Sequence, residues 1–267
     1  MSIPVKMPVS CPKCKRSFQV TAYRSVNTDL RKDLPDQIIS GKFFEAPCPR
    51  CGFVAHLEYN VLYNDLKHRA MIWLISHETP TYQNDLIEAK TSLLATRQLG
   101  GMVRIVNDTA ALREKAACLE SGRDDRIIEL YKYVLEFNLS QQQPGQHVDK
   151  SFYTCSHGKE VFFFYTTSGQ EYHVEFPEDG YHIIESQYGS TINQYSYDPV
   201  PIIDRAWVHQ FLSSANLDDE GTEDADEDDG DSATIASPPP VRFCRKCGNK
   251  LLPDSEFCSN CGTRVVR

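Results

Sequence analysis

No apolar run in this 267-residue chain approaches the roughly 18–20 residues that a membrane span requires. The longest, Ala70–Ser76, is strand-sized, so no membrane partner is expected. Met1 to Lys6 lacks an apolar stretch followed by a cleavage site, which removes a secretory leader and predicts a cytoplasmic protein. Common catalytic fingerprints are missing as well. There is no G-x-G-x-x-G, no G-x-x-x-x-G-K-[ST] and no H-E-x-x-H; His77-Glu78 continues as Thr-Pro-Thr, which breaks the last pattern. No catalytic residue and no residue for an organic cofactor is therefore assigned. Basic residues are absent from 218–240, which carry 10 acidic groups between Asp218 and Asp231 and end in Pro238-Pro239-Pro240. Like-charge repulsion without apolar residues prevents collapse, so this stretch is expected to be a disordered linker that holds residues 241–267 apart from the body.

The rest of the chain can fold. The full sequence is 40% apolar, enough for a core, and its length suits one or two folded units with small modules. The 28 basic and 37 acidic side chains leave −9, unevenly spread: residues 1–55 are basic (9 against 4), as are residues 241–267 (6 against 2), while the middle is acidic. Residues 8–76 read as strand-rich, with Ser17–Tyr23, Val54–Tyr63 and Arg69–Ile75 as strands and a short helix within Asp33–Gly41. Residues 82–139 read as helical. Leu86, Ile87, Leu93 and Leu94 mark one face; Asp108 caps a second helix that stops at Gly122; Asp124 or Asp125 caps a third, with Ile127, Leu130, Tyr131, Val134 and Leu135 inward and Lys132–Glu136 an exposed pair. Residues 151–203 return to strands. Val161–Thr167 and Gln170–Phe176 form a hairpin about Ser168-Gly169, Tyr181–Glu185 and Tyr195–Tyr197 follow as strands, and Ile202–Leu212 closes as a helix with Trp207 and Phe211 buried. The fold class is thus α+β.

Ten cysteines are the strongest signal. In a long chain among reduced thiols, spaced cysteines bind metal or do catalysis more often than they form disulfides. Cys11-Pro-Lys-Cys14 and Cys48-Pro-Arg-Cys51 form one set, with 33 residues between its couples; Cys244-Arg-Lys-Cys247 and Cys258-Ser-Asn-Cys261 form another, with ten. A two-residue gap lets both thiolates of a tight turn point at one centre, and two such turns supply the tetrahedral sulfurs that Zn²⁺ prefers. Glycine follows three of the couples, at Gly52, Gly248 and Gly262, and allows a left-handed backbone there. The fourth has Lys15, so its turn must tolerate a side chain. Residues 241–267 are too few to fold on their own seven apolar residues, so zinc must organise them. A redox C-x-x-C would open a helix after a strand, whereas Cys14 leads into an apparent strand. Two structural zinc ions per chain are expected. Cys118 reads as a small core residue, and Cys155 with His157 as a chance pairing that lacks a third orienting group.

Val9 to about Leu139 resembles the CpXC family, on the two C-P-x-C motifs, Gly41-Lys-Phe-Phe44, Arg104-Ile-Val106, Glu114-Lys115 and Asp124-Asp-Arg126. Residues 243–266 are similar to a prokaryotic zinc-ribbon module. The resemblance implies a bacterial or archaeal protein that binds zinc twice, and names no substrate. The expected division is a CpXC-like zinc-binding domain at 1–140, a small antiparallel β-rich region with a closing helix at 141–217, the acidic linker at 218–240 and a zinc ribbon at 241–267. The function expected is that of a non-enzymatic interaction or adaptor protein with an unidentified protein partner. Lys13, Lys15, Arg16 and Arg50 about the first set, and Arg242, Arg245, Lys246 and Arg264 about the second, raise nucleic-acid binding as an alternative. A Zn²⁺ ion with four thiolates is a −2 centre, however, and nearby cations balance it. An enzyme with accessory ribbons is a further alternative.

Overall fold

Alternation of apolar and polar residues starts at the N-terminus, in a long hairpin of β1 (Ile3–Ser10) and β2 (Ser17–Asn27). Val5, Met7 and Val9 pair with Ala22, Val20 and Phe18 on one face, while Lys6 opposes Thr21 on the other. Pro4 and Pro8 are tolerated because β1 is an edge strand. In the computed structural model, residues 2–97, 101–143, 145–195, 198–218, 242–243 and 250–251 are described. They fall in two units, Met1–Ile203 and Asp204–Arg267, and each is treated by itself.

The first unit is built on a five-stranded mixed sheet. Its order is β1-β2-β5-β6-β7, with β5 at Val61–Asp65, β6 at Ala70–Leu74 and β7 at Met102–Val106. β2 and β5 run parallel through Ser25–Asn27, β5 and β6 form an antiparallel hairpin, and β6 and β7 run parallel across helix α2 (Tyr82–Arg97). Short α1 (Leu34–Ile39) and a small antiparallel pair, β3 (Glu45–Pro47) with β4 (Val54–His56), fill the excursion between β2 and β5. Ala89 and Leu93 of α2 bury with Ile75, Val103, Ile105 and Val200 against one face of the sheet. By the two-residue period, Val61, Tyr63, Ile72 and Leu74 point to the other face, where α3 (Thr109–Ser121) packs on β6 and β7. Ile105 donates its amide to the Pro201 carbonyl at 3.5 Å, so the 199–203 segment lies along β7.

Helices α3 and α4 (Asp125–Gln142) start and stop where their caps dictate. Asp108 accepts from the Ala111 amide and Asp124 from the Arg126 amide. Gly122 ends α3 at φ 70°, with the Arg123 amide reaching the Cys118 carbonyl. A three-stranded antiparallel sheet follows, in the order β10-β9-β8, from β8 (Val148–Ser156), β9 (Lys159–Thr166) and β10 (Glu171–Glu175). The hairpin about Ser168-Gly169 is as read from the sequence. Tyr153, Phe162 and Phe164 turn inward, and Tyr153 and Phe162 meet Phe176, which also meets Tyr131.

Five local expectations are corrected. First, Arg104-Ile-Val106 belongs to β7, not to a helical run; a charged residue in mid-strand hides the strand until its partner is known. Second, Tyr181–Glu185 lies within helix α5 (Glu178–Gln194), where Tyr181, Ile184 and Ile192 bury at helical spacing and Glu178 and Asp179 favour the first turn. Gly180 permits its approach to α4, since a Cβ there would stand 2.0 Å from the Tyr131 hydroxyl. Of the proposed strand Tyr195–Tyr197, Tyr195 caps α5 and residues 196–197 lie outside the described set. Third, the buried face of α2 runs through Leu86, Ala89 and Leu93, leaving Ile87 and Leu94 exposed. Fourth, Lys132 is buried and faces Glu114 and Glu129 rather than forming an exposed pair with Glu136. The expected Val54–Tyr63 strand is also divided, into β4 and the start of β5.

In the second unit, Asp204 caps α6 (Arg205–Asp218) by accepting from the Trp207 amide, and the Trp207 and Phe211 rings stack, both buried as expected. β11 (Arg242–Phe243) pairs antiparallel with β12 (Lys250–Leu251).

Candidate metal centre

The β1–β2 turn and the β3–β4 turn bring four thiols together, although 33 residues separate their couples in sequence. Each turn is the same device. The Cys11 amide donates to the Arg16 carbonyl at 2.9 Å, and the Cys48 amide to the Phe53 carbonyl at 2.8 Å. The Lys15 amide returns to the Cys11 carbonyl at 2.9 Å, and the Gly52 amide to the Cys48 carbonyl at 3.0 Å. Both closing residues are left-handed, Lys15 at φ 59° and Gly52 at φ 69°. The turn that lacks glycine thus holds a lysine in a conformation that L-residues rarely adopt.

Sulfurs meet across the turns rather than within them. Cys11 Sγ lies 3.6 Å from Cys51 Sγ, and Cys14 Sγ lies 3.6 Å from Cys48 Sγ; the ligand atoms of all four fall within 4.8 Å. A disulfide needs about 2.05 Å. A tetrahedron with Zn–S near about 2.3 Å has edges of about 3.8 Å, so the spacing and the donor set both suit Zn²⁺. The Cys14 amide points at Cys11 Sγ, 3.5 Å away, as expected where sulfur carries negative charge. Burial pushes the Cys48 thiol up, but the Arg50 and Cys51 amides and the neighbouring thiols outweigh it and bring it down to about 6. For Cys51, the Phe53 amide works downward; burial and the three other cysteines prevail and push it up to about 11. Binding of a cation would require the four sulfurs as thiolates, so metal uptake and proton release are linked at this cluster. Lys13, Lys15, Arg16 and Arg50 are exposed on the two turns.

Cys244, Cys247, Cys258 and Cys261 lie outside the described residues, as do Arg245, Lys246 and Arg264. The other cysteines do not converge on a site. Cys118 is buried, and burial raises its thiol far above the ordinary value. The Cys155 thiol donates to the Ala117 carbonyl and burial pushes it up to about 11, while His157 Nδ1 pairs with Ser156 Oγ. Neither supplies an activated nucleophile.

A polar cleft of about 480 Å³ opens beside β7 and the start of α4, with Arg97, Arg104, Arg123, Arg126, Asp124 and Asp125 in its walls. Arg104 forks onto Asp125 at 2.8 and 2.8 Å, Arg126 binds Asp124, and Arg123 binds Glu160 and Glu178 between the Phe176 and Tyr181 rings. Burial works against the Asp125 carboxylate, yet Arg104 and Lys115 hold it well below the usual range. The cleft wall is thus an ion-paired surface rather than an acid–base pair tuned near neutrality.

Behind this wall lies a feature that sequence reasoning missed. Glu114, Lys115, Asp125, Glu129, Lys132 and Arg104 form a buried cluster joining α3, α4 and β7. Lys132 Nζ donates to both Glu114 oxygens, at 2.9 and 2.8 Å, and to Glu129 at 3.0 Å; the Tyr153 amide donates to Glu114 at 2.7 Å. The only local signal was charged residues at inward helical positions.

Residues 9–132 match the family model described as CpXC protein, and residues 243–265 match that described as a zinc-ribbon domain. The first match contains both C-P-x-C couples and the whole four-thiol cluster. The chain matches no curated protein and no solved structure. No helix among the described residues is long and apolar enough to cross a membrane.

Proposed function

We propose that this chain is a cytoplasmic zinc protein with two structural Cys₄ sites, one at Cys11, Cys14, Cys48 and Cys51 and one at Cys244, Cys247, Cys258 and Cys261, and that it acts as a non-enzymatic adaptor for a protein partner. The observation that carries this reading is the convergence of two matching turns on one tetrahedron of sulfur. Four thiolates fill a zinc ion's coordination and leave no position for water or substrate, which is the signature of a structural site. In this role the first ion would clamp the tip of the β1–β2 hairpin to the β3–β4 pair, and the cations about it would balance its −2 charge.

Metal analysis of gently purified protein should find two zinc ions per chain; one or fewer removes one of the sites. Affinity capture with and without residues 241–267 should recover a protein whose retention depends on the ribbon. The exposed Lys13, Lys15, Arg16 and Arg50 also support a nucleic-acid reading. A salt-sensitive gel shift lost when these four are changed to alanine would favour it over the adaptor.

A further inference from the structure

Among the described residues, two groups of His, Cys, Asp and Glu bring three or more ligand atoms within 4.8 Å of one another. One is the four-thiol cluster. The other joins the β5–β6 turn to the last turn of α3 through Asp65, His68 and Glu120. Asp65 ends β5 and is 1% exposed; His68 and Glu120 side chains are 20% and 27% exposed and open the group to water on one side.

The two carboxylates are both anchored, and each turns an oxygen toward His68 Nδ1. Asp65 Oδ1 accepts the His68 amide at 3.1 Å and the Thr28 hydroxyl at 3.4 Å. Its Oδ2 accepts the Tyr63 hydroxyl at 3.2 Å and faces His68 Nδ1 at 2.8 Å. Glu120 Oε2 is taken by Lys67 Nζ at 3.1 Å, which leaves Oε1 4.0 Å from the same His68 Nδ1. Partners of this kind orient the ligands of metal sites. Around an ion with M–O and M–N bonds of about 2.0–2.2 Å, neighbouring donors stand about 3.0–3.5 Å apart, so the 2.8 and 4.0 Å separations bracket the requirement. Glu120 is the most exposed of the three, so rotation of its side chain would close the gap.

We infer that Asp65, His68 and Glu120 form a further, open site for a first-row divalent cation, with water completing the coordination. Two carboxylates and one imidazole suit Mn²⁺ and Fe²⁺ better than the softer ions that thiolates prefer. The site is independent of the Cys₄ reading and shares no residue with it.

The probe is Mn²⁺, added to full-length protein already loaded with zinc. Mn²⁺ stands lowest in the divalent affinity series and will not displace zinc from thiolates. Loss of the free Mn²⁺ resonance signal should report one saturable site per chain. Glu120→Gln and His68→Gln should each weaken it at least about ten-fold, with zinc content and melting temperature near those of the parent. Glu120→Gln alters the more exposed ligand and keeps an acceptor for Lys67, so it serves if the histidine variant misfolds. Absence of saturable binding overturns the inference. So does binding that persists unchanged in Glu120→Gln, which would assign the ions to the acidic run at 218–231.

Discussion

Two polar clusters in the first unit answer the same problem in opposite ways. The cluster of Glu114, Lys115, Asp125, Glu129, Lys132 and Arg104 sets three cations against three carboxylates, and the chain supplies its own neutrality. The cluster of Cys11, Cys14, Cys48 and Cys51 gathers four metal-ligating thiols, with no cationic side chain among them. Burying charge is tolerable only when it is paired, so the first cluster needs no ligand and the second calls for a cation. The backbone repeats the contrast. Helices α3 and α4 and strand β7 meet at the ionic cluster, whereas the thiols link the β1–β2 tip to the β3–β4 pair, 33 residues further along the chain.

The comparison breaks most severely at Cys48. Cys48→Ser should leave the protein poorly soluble with one zinc ion fewer, because it frees the β3–β4 pair that leads into β5. Cys258→Ser should also cost one ion but leave the body's melting transition in place. Identical melting of the two variants would show that the first site holds nothing together. Next in size is Lys132→Met, which leaves Glu114 and Glu129 buried without their shared ammonium. A loss of about 3–5 kcal/mol is expected by denaturant melts, with zinc content unchanged. Falling zinc content in that variant would mean that the two clusters are not separate.

A third test uses acidity. Burial holds the Glu114 carboxyl up, against Lys132 and Lys115, at about 7. Burial also works against ionised Glu129, but Lys132 and Lys115 outweigh it and bring Glu129 down to about 2. A carboxyl whose folded value is raised withdraws stability as pH climbs from its unfolded value of about 4.5 towards 7. One whose folded value is lowered contributes stability above about 4.5 and loses it as pH falls towards 2. Across pH 4.5–7, Glu114→Gln should therefore gain stability relative to the parent, measured as the difference between their melting temperatures. A difference that stays flat over this interval would show that Glu114 is ionised throughout. The smallest effects lie at the two turns. Gly52→Ala should cost about 1–2 kcal/mol, and Lys15→Gly should stabilise by up to about 1 kcal/mol, since only glycine adopts that backbone freely. Equal responses at the two positions would mean that the turns are not the matched pair their hydrogen bonds describe.

How much could be read in advance follows from how local each signal is. The cap at Asp108, the stop at Gly122 and the Ser168-Gly169 hairpin are contained in a few consecutive residues and stand where they were read, and of the two residues read as capping the third helix Asp124 takes the place. Lys15 was singled out as the residue its turn must tolerate, and it is left-handed. Strand β7 was missed because Arg104 interrupts its apolar pattern, and the partner that pairs its charge there, Asp125, lies 21 residues away. Helix α5 was misread because Tyr181–Glu185 taken alone suits a strand; its period shows only over Tyr181, Ile184 and Ile192, against α4. Asp65, His68 and Glu120 carried no signal, since α3 must first fold onto the sheet to bring Glu120 to the turn.

The sequence alone determined the donor chemistry of the candidate centre, because thiolate spacing within a turn depends on covalent geometry and backbone hydrogen bonds. It also determined the caps, turns and fold class, which rest on interactions spanning a few residues. Only the tertiary structure decided which cysteine faces which, where β7 sits, and that Lys132 lies inside rather than out. Those outcomes depend on the cost of burying charge, and that cost is set by partners the chain brings together only on folding.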